Sequence, residues 1–186
     1  MSDPAVIALP TLTISRPQVG EYSPYYERYI SLVKGDDILS ALDQQRRDTM
    51  TLLCSRSEED GNFRYASGKW SAKEVLGHVC DSERVFAYRA MRISRTDATP
   101  LEGFEQDDYV RNGPFARATM ADLIEDFIAI RRATLSLLRY LDQDSWTRRG
   151  IANKNEVTVR ALAYIIAGHE LHHRRILEEK YFAANR

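Results

Sequence analysis

Three of the four histidines in this chain lie within five residues of one another: His169, His172 and His173. His169 and His173 are four residues apart, so on a helix their side chains lie about 5–6 Å apart on one face. Two imidazoles at this spacing can bind a single ion, with metal–nitrogen distances of about 2.0–2.1 Å for zinc. Such a metal ion would also satisfy two polar rings that would otherwise face a core unpaired. The spacing therefore predicts a divalent-metal site on this segment.

The fourth histidine, His78, lies early in another amphipathic segment and can supply a third ligand if the two helices are neighbours. Three protein ligands leave one position for water or substrate, which is typical of catalytic zinc sites. Two alternatives stay open: a histidine facing a core is more often hydrogen-bonded than metal-bound, and His172 competes with His173. The four-residue spacing aligns with Leu162 and Ile176 and favours His173, which leaves His172 as a flanking residue that can support a ligand from behind.

The string from His169 to His173 also matches the short zincin protease motif, in which Glu170 would be the general base. A zincin needs a further ligand well downstream, and only 13 residues follow His173. Protease activity is therefore not favoured. On a helix Glu170 points about 100° away from His169, so we expect its carboxylate to be solvated.

Four amphipathic segments predict the helices that must position these residues. They span residues 36–55, 71–94, 119–141 and 158–181, and no segment shows the alternation of a strand. Ser71 with Glu74, and Thr119 with Asp122, are capping-box pairs that mark where two helices begin. Four such helices predict an all-α four-helix bundle.

The connection at residues 95–118 is unusually long for a compact bundle and is expected to be functional or to cover a site. We expect Gln106, Asp107, Asp108 and Tyr109 to lie near the mouth of the metal site and shape a pocket. The alternative is a structural cap over the end of the bundle.

Other charged residues near the histidines have less certain roles. Asp81 and Glu83 can orient a ligand imidazole, as groups behind metal ligands do, or can be surface charges. Cys80 lies about 200° around the helix from His78 and is expected to be a packing residue. The remaining basic pairs are expected on solvated faces: Arg131, Arg132, Arg174 and Arg175.

Composition bounds the class of protein. The net charge is −1, which argues against a nucleic-acid binder, and no apolar run approaches the ~20 residues that span a bilayer. Two cysteines are too few for a disulfide framework, so we expect a cytoplasmic protein. Residues 1–35 hold four prolines and a tyrosine group and are expected to form an arm packed on a domain at residues 36–182.

Two histidine-bearing segments resemble the DinB-like superfamily. They run from Trp70 to His78 (WSAKEVLGH) and from Ala161 to His173 (ALAYIIAGHELHH). Further similarity covers residues 81–86 and 103–110. The resemblance implies a four-helix bundle whose three metal ligands fall on His78, His169 and His173, in agreement with the spacing.

The resemblance also suggests what the protein does. Members bind zinc or nickel, homodimers are common among them, and the superfamily includes bacillithiol and mycothiol S-transferases. It therefore implies a small-molecule substrate, with transfer of a low-molecular-weight thiol as the first hypothesis. Metal-dependent hydrolysis is an alternative, and a non-catalytic metal-binding stress-response protein is another. The family's association with DNA damage concerns induction and implies no contact with DNA.

Overall fold

A computed structural model of the chain describes residues 14–183. Four long helices dominate it, and short elements connect them. In chain order the elements are a 3₁₀ turn at Pro24–Tyr26, α1 (Glu27–Ile30), α2 (Ile38–Cys54), α3 (Glu58–Asn62), α4 (Ala72–Ser94), α5 (Gln106–Asn112), α6 (Met120–Leu138), α7 (Gln143–Thr147), β1 (Arg149–Ala152), β2 (Asn155–Thr158), α8 (Val159–Ile176) and a π-helical turn at Leu177–Tyr181.

The long helices begin where their capping residues predict. Asp37 accepts a hydrogen bond from the Ser40 amide at the start of α2. The capping boxes expected at Ser71 and Thr119 are both complete. The all-α bundle is thus confirmed, although α6 ends three residues earlier than expected and α8 passes into a π-helical turn at Leu177.

The long helices form a ring in which each packs on two others. Helix α4 packs against α6 and α8, and α2 packs against the same two helices. Helices α2 and α4 are consecutive long helices in the chain, yet they are not one of the main packed pairs. The arrangement places α4, which carries His78, directly beside α8, which carries the other histidines.

A layer of polar residues crosses the middle of the bundle and separates two apolar clusters. All four long helices contribute to this polar layer. Its members are Gln45, Thr49, His78, Ser82, Glu83, Arg131, Thr134, His169, Glu170 and His173. Because buried polar groups need partners, the contacts within this layer are where function or structural specificity should be found.

Between α7 and α8 the chain forms a hairpin that the sequence did not predict. Strands β1 and β2 pair antiparallel from Arg149↔Thr158 to Ala152↔Asn155. Asn153 and Lys154 both have positive φ, as the central residues of a type I′ turn require. Leu101 adds to the edge of β1, since its amide donates to the Ile151 carbonyl.

The segment before α2 packs onto the bundle through both charge and apolar contacts. Glu21 is buried and accepts hydrogen bonds from Thr158 and Arg160 at the start of α8. Ile14 and Ile30 belong to the apolar cluster that includes the first half of α8. Residues 1–13 lie outside the described chain, so the domain boundary at residue 35 stays a prediction.

Among residues 14–183, none of the helices combines the length and the apolar character needed to cross a bilayer.

Candidate metal centre

His78 on α4 meets His169 and His173 on α8, and we call these three residues the histidine cluster. Each offers a ring nitrogen, and the three nitrogens lie within 4.8 Å of one another. The Nε2 atoms of His78 and His169 are 3.1 Å apart. Within the described residues this is the one group of three or more histidine, cysteine or acidic side chains close enough to hold a metal ion.

Burial keeps the imidazoles of the cluster neutral. It lowers the pKa of His78 to about 4, although the nearby Asp107 carboxylate acts in the opposite direction. The pKa values of His169 and His173 are lowered well below the ordinary range, first by burial and then by the neighbouring histidines. A neutral imidazole has a free lone pair on one nitrogen, which is the form that binds metals.

The cluster suits a divalent ion. Two ligand atoms bound to one tetrahedral zinc lie about 3.4 Å apart, close to the 3.1 Å between the Nε2 atoms of His78 and His169. Nδ1 of His173 is buried and has no hydrogen-bond partner. Three imidazole donors without a carboxylate favour zinc, nickel or copper over calcium or magnesium. Ligation by these residues stays a prediction that the donor set supports.

A glycine precedes the first histidine on each helix, and each glycine admits a covering segment. A Cβ atom on Gly77 would come within 2.3 Å of the Phe115 ring, and one on Gly168 would come within 2.0 Å of the Tyr29 carbonyl oxygen. The missing side chains therefore allow two distant parts of the chain to press against the helices beside His78 and His169. Tyr29 also packs its ring edge-on against His169, with centroids 5.3 Å apart.

A cavity of about 300 Å³ opens beside His78 and His169 of the histidine cluster, whereas His173 is not part of its wall. Helix α4, α8, the residues around α1, the loop before α5 and the hairpin turn all contribute to its wall. The lining residues are Ser23, Tyr25, Tyr26, Tyr29, His78, Ser82, Phe86, Arg89, Gly103, Phe104, Glu105, Gln106, Asn153, Asn155 and His169. A volume of this size is at the lower end for small-molecule sites, so an ion held by the cluster would face a space fit for a small substrate.

On the other side of the polar layer, Glu83 and Arg131 form a fully buried ion pair. Arg131 Nε lies 2.8 Å from Glu83 Oε1, and Nη2 lies 2.9 Å from Oε2. Arg131 also donates to the Leu42 carbonyl and, at 3.4 Å, to Gln45 Oε1. The expectation that Arg131 is solvated was therefore wrong, and Glu83 is neither a surface charge nor hydrogen-bonded to an imidazole.

Glu170 belongs to this same buried group and is not solvated as expected. It accepts a hydrogen bond from the Thr49 hydroxyl, while Oε2 is buried without a partner. Burial raises the pKa of the Glu170 carboxyl, although the charge of Arg131 opposes the shift. Glu170 is also absent from the cavity wall, so it is poorly placed for the zincin role. We call Glu83, Arg131, Gln45, Thr49 and Glu170 the ion-pair cluster.

The other residues singled out in the sequence lie around the site in different ways. His172 contacts Tyr29 and His173 with ring centroids 5.3 and 5.0 Å away but is not part of the histidine cluster. Asp81 pairs with Arg84.

Of the four loop residues, Gln106 lines the cavity, whereas Asp107, Asp108 and Tyr109 do not. All four lie on α5, a helix that the sequence analysis did not predict. Tyr109 is 47% exposed and contacts Phe104, which does line the cavity.

Sequence reasoning missed the tyrosines of the cavity wall. Tyr29 and Tyr26 lie in the N-terminal segment, where only their aromatic character signalled packing. Arg89 follows His78 at helical spacing through Ser82 and Phe86, and this period predicted that Arg89 or Ala90 faces inward. The sequence analysis assigned Arg89 no role in the site.

A model of the DinB superfamily matches residues 41–177. Among solved structures, YfiT from Bacillus subtilis, described as a probable metal-dependent hydrolase with an unusual four-helix bundle topology, superposes with a TM-score of 0.63 at 15% identity, covering 86% of this chain and 87% of YfiT. A DinB-like protein of Bacillus subtilis, YjoA, gives a TM-score of 0.55 at 24% identity, covering 75% of this chain and 85% of YjoA. A search of the curated proteins found no match.

Proposed function

The chain belongs to the DinB superfamily, and from this premise we propose that it is a metal-dependent enzyme acting on a small molecule. His78, His169 and His173 would hold one zinc or nickel ion. The observation that carries the proposal is that three imidazoles converge on one point and that two of them, the buried His78 and His169, also line a cavity. A purely structural ion would need no open cavity beside it.

The reaction that we propose first is transfer of a low-molecular-weight thiol onto an electrophile. A divalent ion in this site would supply a positive charge that favours the deprotonated form of a thiol or of water. The protein's own contribution is to orient and desolvate the substrate: Phe86 and Tyr26 offer apolar walls, and Ser82 and Gln106 offer polar contacts. A thiolate is already the reactive nucleophile, so this reaction asks for no protein base.

Metal-dependent hydrolysis is the second candidate, and the description of YfiT as a probable metal-dependent hydrolase favours it. Hydrolysis is helped by a general base within reach of the water. Glu170 is turned into the ion-pair cluster, where it accepts from Thr49. Glu105 is the acidic side chain on the cavity wall, so the hydrolytic alternative assigns it the role of base.

The first measurement is the metal content of protein purified without added metal. We expect about one zinc or nickel ion per chain, strongly reduced in His169→Ala. His172→Ala is the matched control, because His172 lies on the same helix one turn away yet outside the cluster, and its metal content should equal that of the wild type. Equal metal content in both variants would refute the site.

The second measurement separates the reactions. The metal-loaded protein is incubated with monochlorobimane and a panel of thiols, and separately with ester and amide substrates, with His169→Ala as control. Metal-dependent conjugation supports thiol transfer, and metal-dependent cleavage without conjugation supports hydrolysis through Glu105, which Glu105→Gln should then abolish. Inactivity in both assays, together with a large metal-dependent gain in melting temperature, would indicate that the protein binds metal for a structural role and is not an enzyme.

We further propose a homodimer that works in the cytoplasm. The family resemblance supports the dimer, and the two free cysteines, Cys54 and Cys80, suit a reducing compartment. Light scattering on purified protein would decide the mass, and a monomer at micromolar concentration would overturn the dimer.

A further inference from the structure

Helix α4 presents a row of side chains to the cavity beyond His78. Ser82, Phe86 and Arg89 follow it at successive turns of the helix, and all four residues line the cavity. The Phe86 ring stands between the two ends of the row. Its centroid lies 6.0 Å from the His169 ring and 5.8 Å from Arg89 Cζ. The cavity is therefore bounded by the histidine cluster at one end and by a guanidinium at the other.

Arg89 is a buried cation with no acidic partner. Its exposed fraction is 3%, and Nη2 donates to the backbone carbonyl of Glu102 at 2.6 Å. The Tyr26 hydroxyl is a further polar neighbour of Arg89. None of the ion pairs formed within residues 14–183 includes Arg89.

An unpaired charge of this kind is costly. Burial of a cation without a counterion is strongly unfavourable, and burial lowers the pKa of Arg89 accordingly. Arg131, the other deeply buried arginine, is matched by a bidentate carboxylate. Glu105 also lines the cavity, but it is exposed and does not pair with Arg89. What Arg89 lacks among residues 14–183 is an anion.

A second polar group in the cavity also lacks a partner. The Ser82 hydroxyl is buried without a hydrogen bond, one helical turn from His78 and on the wall of the same cavity. Buried polar groups of this kind normally find a partner in the protein or in a bound molecule. Ser82 therefore lies where the middle of a bound molecule would pass, between the histidine cluster and Arg89.

We propose that the cavity binds a small molecule bearing a carboxylate, with the carboxylate on Arg89 and the reacting group at the histidine cluster. A guanidinium recognises a carboxylate through two parallel hydrogen bonds, a geometry that a lysine cannot reproduce. The Phe86 ring contacts the stem of the molecule between its two ends. The reacting end rests on the proposed function, whereas the carboxylate end rests on Arg89 alone.

The test compares acids with their neutral amides on the zinc-loaded protein. The probes are ω-mercapto acids from 3-mercaptopropionate to 6-mercaptohexanoate and the corresponding mercapto amides, titrated by calorimetry. We expect the wild type to prefer the acid of optimal length over its amide by about tenfold or more, as charge-assisted hydrogen bonds provide. Arg89→Gln should lose this preference while its metal content is unchanged.

Arg92→Gln is the matched control. Arg92 lies on the same helix, but it pairs with Asp97 and has no place in the cavity, so the preference for acids should persist. Arg89→Lys should retain only part of it. The comparison of acid with amide in the wild type needs no variant, so it remains decisive even if Arg89→Gln folds poorly.

A second arm of the experiment tests carboxylate binding in the absence of both the metal and the thiol. Metal-free wild-type protein is titrated with hexanoate and hexanamide, observed by NMR. A preference for hexanoate that Arg89→Gln lacks would support the carboxylate site even if no mercapto acid bound to the zinc-loaded protein, a result that would count against the proposed function alone. Equal binding of acid and amide to the wild type in both arms would overturn the carboxylate site.

Discussion

The histidine cluster and the ion-pair cluster lie in the same polar layer of the bundle, yet their polar groups are satisfied in opposite ways. In the ion-pair cluster, opposite charges meet: Arg131 is held by Glu83 and by the Leu42 carbonyl. In the histidine cluster, like groups meet, all of them bases, and His173 Nδ1 has no partner. In the first cluster the ion pair is closed by the protein itself, although Glu170 Oε2 beside it has no partner among the described residues. The second cluster is complete only with something added.

This difference gives a physical criterion for separating structural from functional polar groups in a core. Buried polar groups that satisfy one another contribute to a unique packing, whereas those left short of a partner indicate a ligand. By this criterion the Ser82 hydroxyl belongs with the histidines, since it has no hydrogen bond among the described residues. Arg89 belongs with them because no carboxylate within residues 14–183 pairs with its charge.

The largest effect is expected from breaking the ion-pair cluster. Arg131→Met leaves Glu83 buried without its cation, which should lower the free energy of unfolding by about 3–5 kcal/mol. Urea denaturation measures the change. The neighbouring Arg132→Met is the control, because Arg132 is exposed and its loss should cost no more than about 0.5 kcal/mol. Equal stability of the two variants would show that the ion pair contributes little.

A smaller effect is expected from binding zinc to the histidine cluster. Zinc that binds only the folded chain should raise the free energy of unfolding by about 2.7 kcal/mol at a concentration one hundred times its Kd. The gain should vanish in His173→Ala and persist in His172→Ala, as thermal melting with and without zinc would reveal. A full zinc effect in His173→Ala would remove that residue from the site.

The smallest effect is expected from pH acting on the metal-free protein. The pKa of His78 is about 4 in the folded chain against about 6.5 when unfolded, so the unfolded state binds more protons between these values. Stability is therefore full above pH 6.5 and is lost as the pH falls towards 4, by at least about 1 kcal/mol.

The difference between the wild type and His78→Gln, measured by urea denaturation at each pH, isolates this contribution. It removes the contribution of carboxyls such as Glu21, which also make the folded protein less stable in acid. Burial acts to raise the pKa of Glu21, but its hydrogen bonds with Arg160 and Thr158 outweigh burial and lower it. An unchanged difference between pH 7 and pH 4.5 would contradict a neutral, buried His78.

The bundle was predictable because its helices carry local signals that tertiary contacts reinforce. Ser71 and Thr119 marked two helix starts, since a side chain that caps the first turn acts within four residues. The hairpin was not predictable in this way. Its strands are four residues long, and Asn153 and Lys154 form the turn with positive φ although neither is glycine.

The candidate site was predictable in part for a similar reason. The four-residue spacing of His169 and His173 is a local property of one helix, and the spacing placed both rings on one face. Arg131 shows the limit of such reasoning. The spacing from Phe127 through Arg131 to Leu138 follows the buried face of α6. Arg131 was nevertheless expected in solvent, because its partner Glu83 lies on another helix and no local pattern indicates the pair.

The close approach of Tyr29 to Gly168 has a consequence for how the protein is made. The segment around α1 leaves the ribosome first among the described elements, yet the surface that it covers, α8, is synthesised after the other long helices. Neither the cavity wall nor the pair of His169 and His173 exists until then. A nascent chain must therefore hold an aromatic segment without its docking surface until α8 has been synthesised, and the cavity can form only after α8 has emerged.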